Sequence, residues 1–277
     1  MQDPSTFSPA RAEARVRMLR RRRVTVVVAL SALAALALGI VWSVVSNSRA
    51  GDQANEPQPS QTPHTEPGLA TEPDAAAERS PAFDVDSPDS ITVVVNKQRP
   101  ISPNDWVPND LVLPEGIANN WGDELRAPAA AALQEMYASA AADGLPFIIT
   151  SGFRDYDRQA ALFDGYAESD GVDAAETYSA RPGHSEHQTG LAVDLTDGGE
   201  CSLEECFGDT QTGQWLREHA WQFGFILRYD QGEEAVVGYS YEPWHFRYVG
   251  TDVSTAMHEH GVTNLEDYLG LPAAPGY

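Results

Sequence analysis

The sequence predicts an α+β fold: a small, mostly antiparallel sheet flanked by helices, preceded by one transmembrane helix and a disordered linker. Three observations carry that expectation. An uncharged apolar run of 22 residues follows a block of arginines near the start. A stretch rich in Pro, Ser, Thr and acidic residues comes next. Beyond it, short β-branched runs and amphipathic helical patterns are mixed, without the βαβ rhythm of a doubly wound fold.

Residues 1–23 form a basic N-terminus, with Arg11, Arg15 and Arg17 upstream of Arg20 to Arg23. Residues 24–45 (VTVVVALSALAALALGIVWSVV) carry no charge and are long enough to cross a hydrocarbon core of ~30 Å as a helix. Positive charge stays on the cytoplasmic side, so the expectation is a single-pass protein of the cell membrane. Its N-terminus is cytoplasmic and the remainder outside. A cleaved signal peptide fits less well, because its apolar core is usually about 7–15 residues. Residues 46–90 hold almost no large apolar side chains and cannot offset the entropy of ordering, so they read as a tether. The folded domain is expected over 91–271, with a tail at 272–277.

Within that domain, Ile91 to Val95 (ITVVV) reads as a strand. The span from Pro100 to Pro114, with four prolines, reads as an ordered loop. Leu133, Met136, Tyr137, Ala140 and Ala141 recur at helical spacing and predict a helix over 126–142, with Pro128 in its first turn and Gly144 capping its end. Phe147 to Thr150 reads as a buried strand, and a second helix starts near Asp155 or Asp157. Residues 190–195 (GLAVDL) read as a strand, 213–223 as a helix stopped by Gly224, and 225–229 and 239–249 as strands. The chain from about Val253 onward is expected to hold only a short helix near Leu265 to Leu269.

Charge narrows the functional classes. Eight of the 18 basic residues precede position 50 but only two of the 41 acidic ones do, leaving the rest strongly acidic. Such a surface repels phosphate backbones, so nucleic acid is not an expected partner. No obligate protein partner is evident. The two cysteines, Cys201 and Cys206, cannot build a four-Cys zinc site. Outside the cytoplasm, a small-loop disulfide is their default state.

Two segments carry chemistry: Ser185 to Asp194 (SEHQTGLAVD) and Glu242 to Tyr248 (EPWHFRY). A catalytic zinc wants three protein ligands from His and carboxylate and one open position. His187, Asp194 and His245 would supply the ligands, and Glu242 a proton-accepting carboxylate. Taken alone, the pattern is weak, because it is not the helical H-E-x-x-H arrangement. Asp194 could instead cap a turn, and Glu242 could pair with Arg247. There is also a geometric obstacle: in a regular strand Glu242 and His245 point to opposite faces. Pro243 therefore predicts a bulge or strand start there.

Three blocks sharpen this reading. SGFRDYDRQAALF (Ser151 to Phe163), PGHSEHQTGLAVDL (Pro182 to Leu195) and YEPWHFRYVG (Tyr241 to Gly250) resemble, in order and spacing, the signatures of VanY-type D-alanyl-D-alanine carboxypeptidases. VNK (Val95 to Lys97), the stretch Gly224 to Tyr229 and LEDYL (Leu265 to Leu269) are similar to further family elements. The resemblance covers about residues 91–270. It implies the hedgehog/D,D-peptidase fold and one zinc ion held by His187, Asp194 and His245. It further implies Glu242 as general base, Arg154 as oxyanion stabiliser, and the D-Ala-D-Ala end of a peptidoglycan stem peptide as substrate. The implied enzyme is a serine-independent metallopeptidase. A peptidoglycan endopeptidase or D,D-dipeptidase of the same fold is the alternative, and a non-catalytic wall-binding module is a weaker one.

Four further residues are candidates for substrate contact. Ser185 could hold the peptide or orient His187. Gln159 could touch the peptide or pack on its helix. His184 is more plausible beside the pocket than on the metal, and Trp244 as a pocket wall than as a participant. His219, His258 and His260 read as surface residues.

Overall fold

The computed structural model describes residues 83–277. The expected basic N-terminus, transmembrane helix and linker up to residue 82 lie outside the described residues. Among the described residues, no helix is long and apolar enough to cross a membrane.

Among the described residues, seven strands form: β1 (Leu111–Val112), β2 (Ala118–Asn119), β3 (Leu125–Arg126), β4 (Ile148–Ser151), β5 (Ala192–Thr196), β6 (Phe225–Leu227) and β7 (His245–Tyr248). β1 pairs with β3, and the other five make one sheet in the order β2-β4-β5-β7-β6. Only β2–β4 is parallel in that sheet; the other neighbours run antiparallel. The fold is α+β.

All five residues of β5 are buried. Side chains alternate across a strand, so Val193 and Leu195 enter the main core while Ala192, Asp194 and Thr196 take the opposite face. In β7, Phe246 joins the same core, and His245 and Arg247 turn the other way. The core is closed by α1 (Ala127–Ala142), whose Leu133, Met136 and Ala140 are buried at helical spacing. Pro128 sits in its first turn, where a missing N–H leaves no bond unmade. Gly144 takes φ +79° just past its end, a left-handed conformation that favours glycine.

The remaining helices are α2 (Tyr156–Asp170), α3 (Val172–Ala175), α4 (Gln211–His219), α5 (Glu234–Val237), α6 (Thr251–His260) and α7 (Leu265–Tyr268). Asp155 caps α2 by accepting from the Arg158 N–H at 2.7 Å. Cys201 and Cys206 form a disulfide next to a short 3-10 turn.

Several boundaries differ from expectation. Ile91 to Val95 is not a strand: Arg247 Nη2 donates to the carbonyls of Ile91 and Val93 at 3.0 and 2.7 Å, so a guanidinium stands where a neighbouring strand would. Phe83 and Val85 pack on a second cluster of Val94, Ile226, Val249, Val253, Met257 and Leu265. The described fold therefore takes in residues placed in the linker. The proline-rich span includes β1. Residues 239–249 are not one strand; β7 begins only at His245. Residues 251–260 form a helix, buried through Val253, Ser254 and Met257, where only an irregular tail is expected. Past residue 271, the Ala274 N–H donates to Val236 O at 2.7 Å and Ala274 is buried, so those residues are packed too.

Candidate active site

The site is built on the paired middle strands. Asp194 lies at the centre of β5 and directly opposite His245, the first residue of β7. On its other side it faces Ser151 of β4, where the register shifts between Ile149 and Ser151. Thr150 bonds Thr196 through their hydroxyls at 3.1 Å, so it shares the Asp194 face. Without the shift, Ser151 would point into the core; the bulge turns it toward Asp194.

His187 comes from a 3-10 turn, Glu186–Thr189, that ends at Gly190 with φ +67° before the chain enters β5. Its Nδ1 donates to the Gly152 carbonyl at 2.7 Å, which aims Nε2 at Asp194 Oδ1, 3.4 Å away. His245 Nδ1 lies 3.1 Å from the same oxygen. One ligand atom from each of the three residues falls within 4.8 Å of the others.

Glu242 reaches this cluster through a turn. The His245 N–H donates to Glu242 O at 3.0 Å, closing a four-residue turn with Pro243 at its second position. The strand starts immediately after it. Glu242 Oε2 thus stands 3.9 Å from His245 Nδ1, and the two-residue alternation that would separate them does not apply. Arg154 arrives from the loop before α2. Its Nη1 donates to Ser151 Oγ at 2.6 Å and lies 3.8 Å from Asp194 Oδ2; its Nε donates to Gln159 Oε1 at 3.0 Å.

Burial dominates the electrostatics. It pushes the Glu242 carboxyl up to about 8, against the attraction of His245. Burial and the Arg154 charge bring His187 down to about 4, so it is neutral at pH 7. Burial opposes the charge on Asp194, yet the adjacent His187 and His245 hold it well below the carboxylate range. Burial also opposes charge on His245, but its bond to Asp194 and the nearby Glu186 carboxylate raise it to about 9.

These residues fit a zinc ion. Ligand bonds of about 2.0–2.2 Å at tetrahedral angles put ligand atoms about 3.4 Å apart. The two histidine-to-Asp194 separations, 3.4 and 3.1 Å, match that spacing. The donor set, two imidazoles and one carboxylate, suits zinc with a position left open.

Among the other expected site residues, Gln159 is buried and spoken for: beyond its bond from Arg154, its Nε2 donates to Ala180 O at 2.7 Å and Ser179 Oγ at 3.4 Å. It braces Arg154 rather than offering a free group to a peptide. Ser185 is buried at the start of the 3-10 turn. His184 stands apart from the trio, its Nδ1 donating to Asn96 O at 2.8 Å and its ring edge-on to Tyr277. Trp244 packs on the main core from the turn after Glu242. His219 and His258 stack on Trp215 and Trp221. Arg247 pairs with Glu186, not with Glu242.

Sequence reasoning misses a buried ionic cluster behind His245: Glu186, Arg228, Arg247 and Glu266. It also misses Tyr229, whose ring centroid is 4.7 Å from that of His245. A usable signal is present. Arg228 and Arg247 each interrupt an apolar, strand-like run, where an unpaired charge would be costly and a partner must exist.

Known proteins similar to this chain include several carboxypeptidases. The family profile described as VanY, D-alanyl-D-alanine carboxypeptidase, matches residues 122–251. A putative carboxypeptidase of Bacillus subtilis, YodJ, is 37% identical over 191 residues, covering 67% of this chain and 69% of that protein. The LdcB LD-carboxypeptidase structure superposes with a TM-score of 0.61 at 38% identity, over 66% of this chain and 87% of that one. A mutant of the vancomycin-resistance D,D-pentapeptidase VanY, solved with Zn(II), gives 0.53 at 35% identity, over 64% and 97%. The chain belongs to the VanY family of D-alanyl-D-alanine carboxypeptidases.

Proposed function

We propose that this chain is a zinc-dependent D-alanyl-D-alanine carboxypeptidase that removes the terminal D-Ala of peptidoglycan stem peptides. The observation that carries the reading is the convergence of His187, Asp194 and His245, with the Glu242 carboxyl 3.9 Å from His245 Nδ1. The Zn(II) complex of the VanY relative supports the choice of metal.

His187, Asp194 and His245 would hold the ion, which when bound polarises a carbonyl and makes water acidic. Glu242 takes a proton from the attacking water and returns it to the departing amine. Burial raises the proton affinity of Glu242 in the metal-free chain, and a bound cation would draw it back toward the range in which the carboxylate accepts a proton. Arg154, braced by Ser151 and Gln159, directs its guanidinium at the charge that develops on the carbonyl oxygen. Ser185, His184 and Trp244 are assigned to the peptide-binding surface, and Gln159 acts through Arg154.

The test is release of D-Ala from a D-Ala-D-Ala pentapeptide by the purified chain, with and without zinc, beside Glu242→Gln. Absence of release from the zinc-loaded wild type would sink the proposal. A second reading, L,D-carboxypeptidase, is favoured by the TM-score of 0.61 to LdcB. Mass spectrometry of digested peptidoglycan separates the two, since that activity shortens a tetrapeptide. The same digest identifies endopeptidase products, and free D-Ala-D-Ala identifies a dipeptidase.

We further infer that residues 24–45 anchor the chain in the cell membrane, with the N-terminus cytoplasmic and the catalytic domain outside on a linker. The support is the uncharged run of 22 residues behind Arg20 to Arg23. The expected result is recovery in the membrane fraction and release on deletion of residues 1–45. A deletion that leaves the protein with the membranes would remove that inference.

A further inference from the structure

Glu186 precedes a metal-ligand residue in the chain, but its carboxylate runs behind the other histidine of the trio. It is almost fully buried. Its Oε1 accepts from Arg228 Nε at 2.8 Å and from Arg247 Nη1 at 3.0 Å. Both arginines are themselves held. Arg228 grips Glu266 through two bonds of 2.9 and 2.7 Å. Arg247 donates to the backbone at Ile91, Val93 and Tyr248.

The second carboxylate oxygen is different. Glu186 Oε2 has no hydrogen-bond partner, and neither does His245 Nε2; both atoms are buried, and they face one another at 3.5 Å. A charge-assisted bond is about 2.8 Å long, so a small approach would satisfy both orphans at once. With Oε1 pinned between two guanidiniums, the carboxylate cannot turn away from the ring.

We infer that Glu186 is a positioning residue: it accepts the Nε2–H of His245 and so leaves the Nδ1 lone pair facing Asp194 and the metal. This rests on the zinc reading above. A neutral imidazole carries one proton, and an ionised carboxylate can only accept, so the partner on the far side decides which nitrogen is free to ligate. His187 is set in the mirror sense. Its Nδ1 donates to Gly152 O, which leaves Nε2 for the site. The two histidines thus present opposite nitrogens, each chosen by a buried acceptor behind the ring.

The competing role for Glu186 is charge balance for Arg228 and Arg247 alone. Glu186→Gln separates the two. Its single oxygen would be claimed by the two arginines, turning its NH2 group toward His245 Nε2. That nitrogen would then have to accept, sending the ring proton to Nδ1 and removing the ligating lone pair. Glu266→Gln takes a negative charge from Arg228 without touching His245.

The experiment measures zinc affinity of the full chain by chelator competition, and the visible spectrum of its cobalt-substituted form. The expected result is 10–100-fold weaker zinc binding and a shifted cobalt spectrum for Glu186→Gln, with Glu266→Gln matching wild type in both. Wild-type affinity in Glu186→Gln, or equal losses in both variants, would overturn the inference while leaving the zinc reading intact. A wild type that binds no zinc overturns both. If Glu186→Gln does not fold, nitrogen NMR of zinc-loaded wild type reads the ring directly: Nδ1 metallated is expected, and Nε2 metallated overturns the inference.

Discussion

Glu242 and Arg154 sit on the same small cluster but are stabilised in different ways, and their substitutions separate accordingly. Glu242→Gln keeps the side chain's size and removes the proton acceptor. The expected loss in kcat is about 10²–10⁴-fold with zinc content unchanged, measured by D-Ala release and metal analysis. Arg154→Lys forfeits the fork that reaches both Gln159 and Ser151. It is expected to lower kcat by roughly 10²–10³-fold with a smaller change in KM. Titration adds a third prediction, for the metal-free protein. Burial holds Glu242 protonated up to about 8 against an ordinary 4.5, so the fold binds the extra proton and stability declines as pH rises through that interval. His245, raised to about 9 from 6.5 by Asp194 and Glu186 against the effect of burial, loses its contribution in the same direction as pH rises. His187, lowered to about 4, acts oppositely, but only below 6.5. The melting temperature in chelator is therefore expected to fall between pH 6.5 and 8, less steeply for Glu242→Gln. A rise over that interval in thermal melts would contradict it. At this scale the ligand-bearing residues have the types a metal needs, but that pattern alone is weak, and they are legible through the three blocks that resemble the VanY-type family. Glu186 is not, because its role depends on Arg228 and Arg247, distant in the chain and joined to it only by folding.

At the scale of elements, the irregular joints bring the side chains of the candidate site together. The turn at Pro243 lets Glu242 and His245 share one face, and it was readable from strand alternation and the geometry a proline imposes. The bulge at the end of β4 was not readable, since nothing local distinguishes Ser151 from a core-facing residue. Gly152, just beyond it, tests this joint. A Cβ there would lie 2.7 Å from the Glu124 carbonyl oxygen, so the backbone must move, and its own carbonyl orients His187. Gly152→Ala is expected to weaken zinc binding and activity about 10–100-fold while retaining secondary structure by circular dichroism. An unchanged zinc affinity would count against the assigned role of that carbonyl. The ITVVV run misleads for an instructive reason. Its β-branched residues fit an extended conformation, but Arg247 takes the carbonyls a neighbouring strand would use. Helix α6 escapes notice because its buried face is short: Val253, Ser254 and Met257.

Across the whole molecule, the α+β class follows from the mixture of short apolar runs and amphipathic helices, whereas the strand order β2-β4-β5-β7-β6 does not. Order is set by which strands meet in three dimensions, and the placing of β7 between β5 and β6 joins segments far apart in the chain. A bound ion should stabilise the whole fold, because its ligands come from the two middle strands and the turn that leads into one of them. At free zinc a thousand times the dissociation constant, the gain is about 4 kcal/mol. The expected reading is a zinc-dependent rise in melting temperature of the chelated protein, largely absent in His187→Ala. The position of Asp194 has one more consequence. It lies in the central strand of the five, buried, with a paired strand on each side. Amide protons of β5 should therefore be among the last to exchange with heavy water, opening only when the sheet itself opens. The ligand cradle then persists when the ion departs, and recapture is limited by diffusion and the shedding of hydration rather than by refolding.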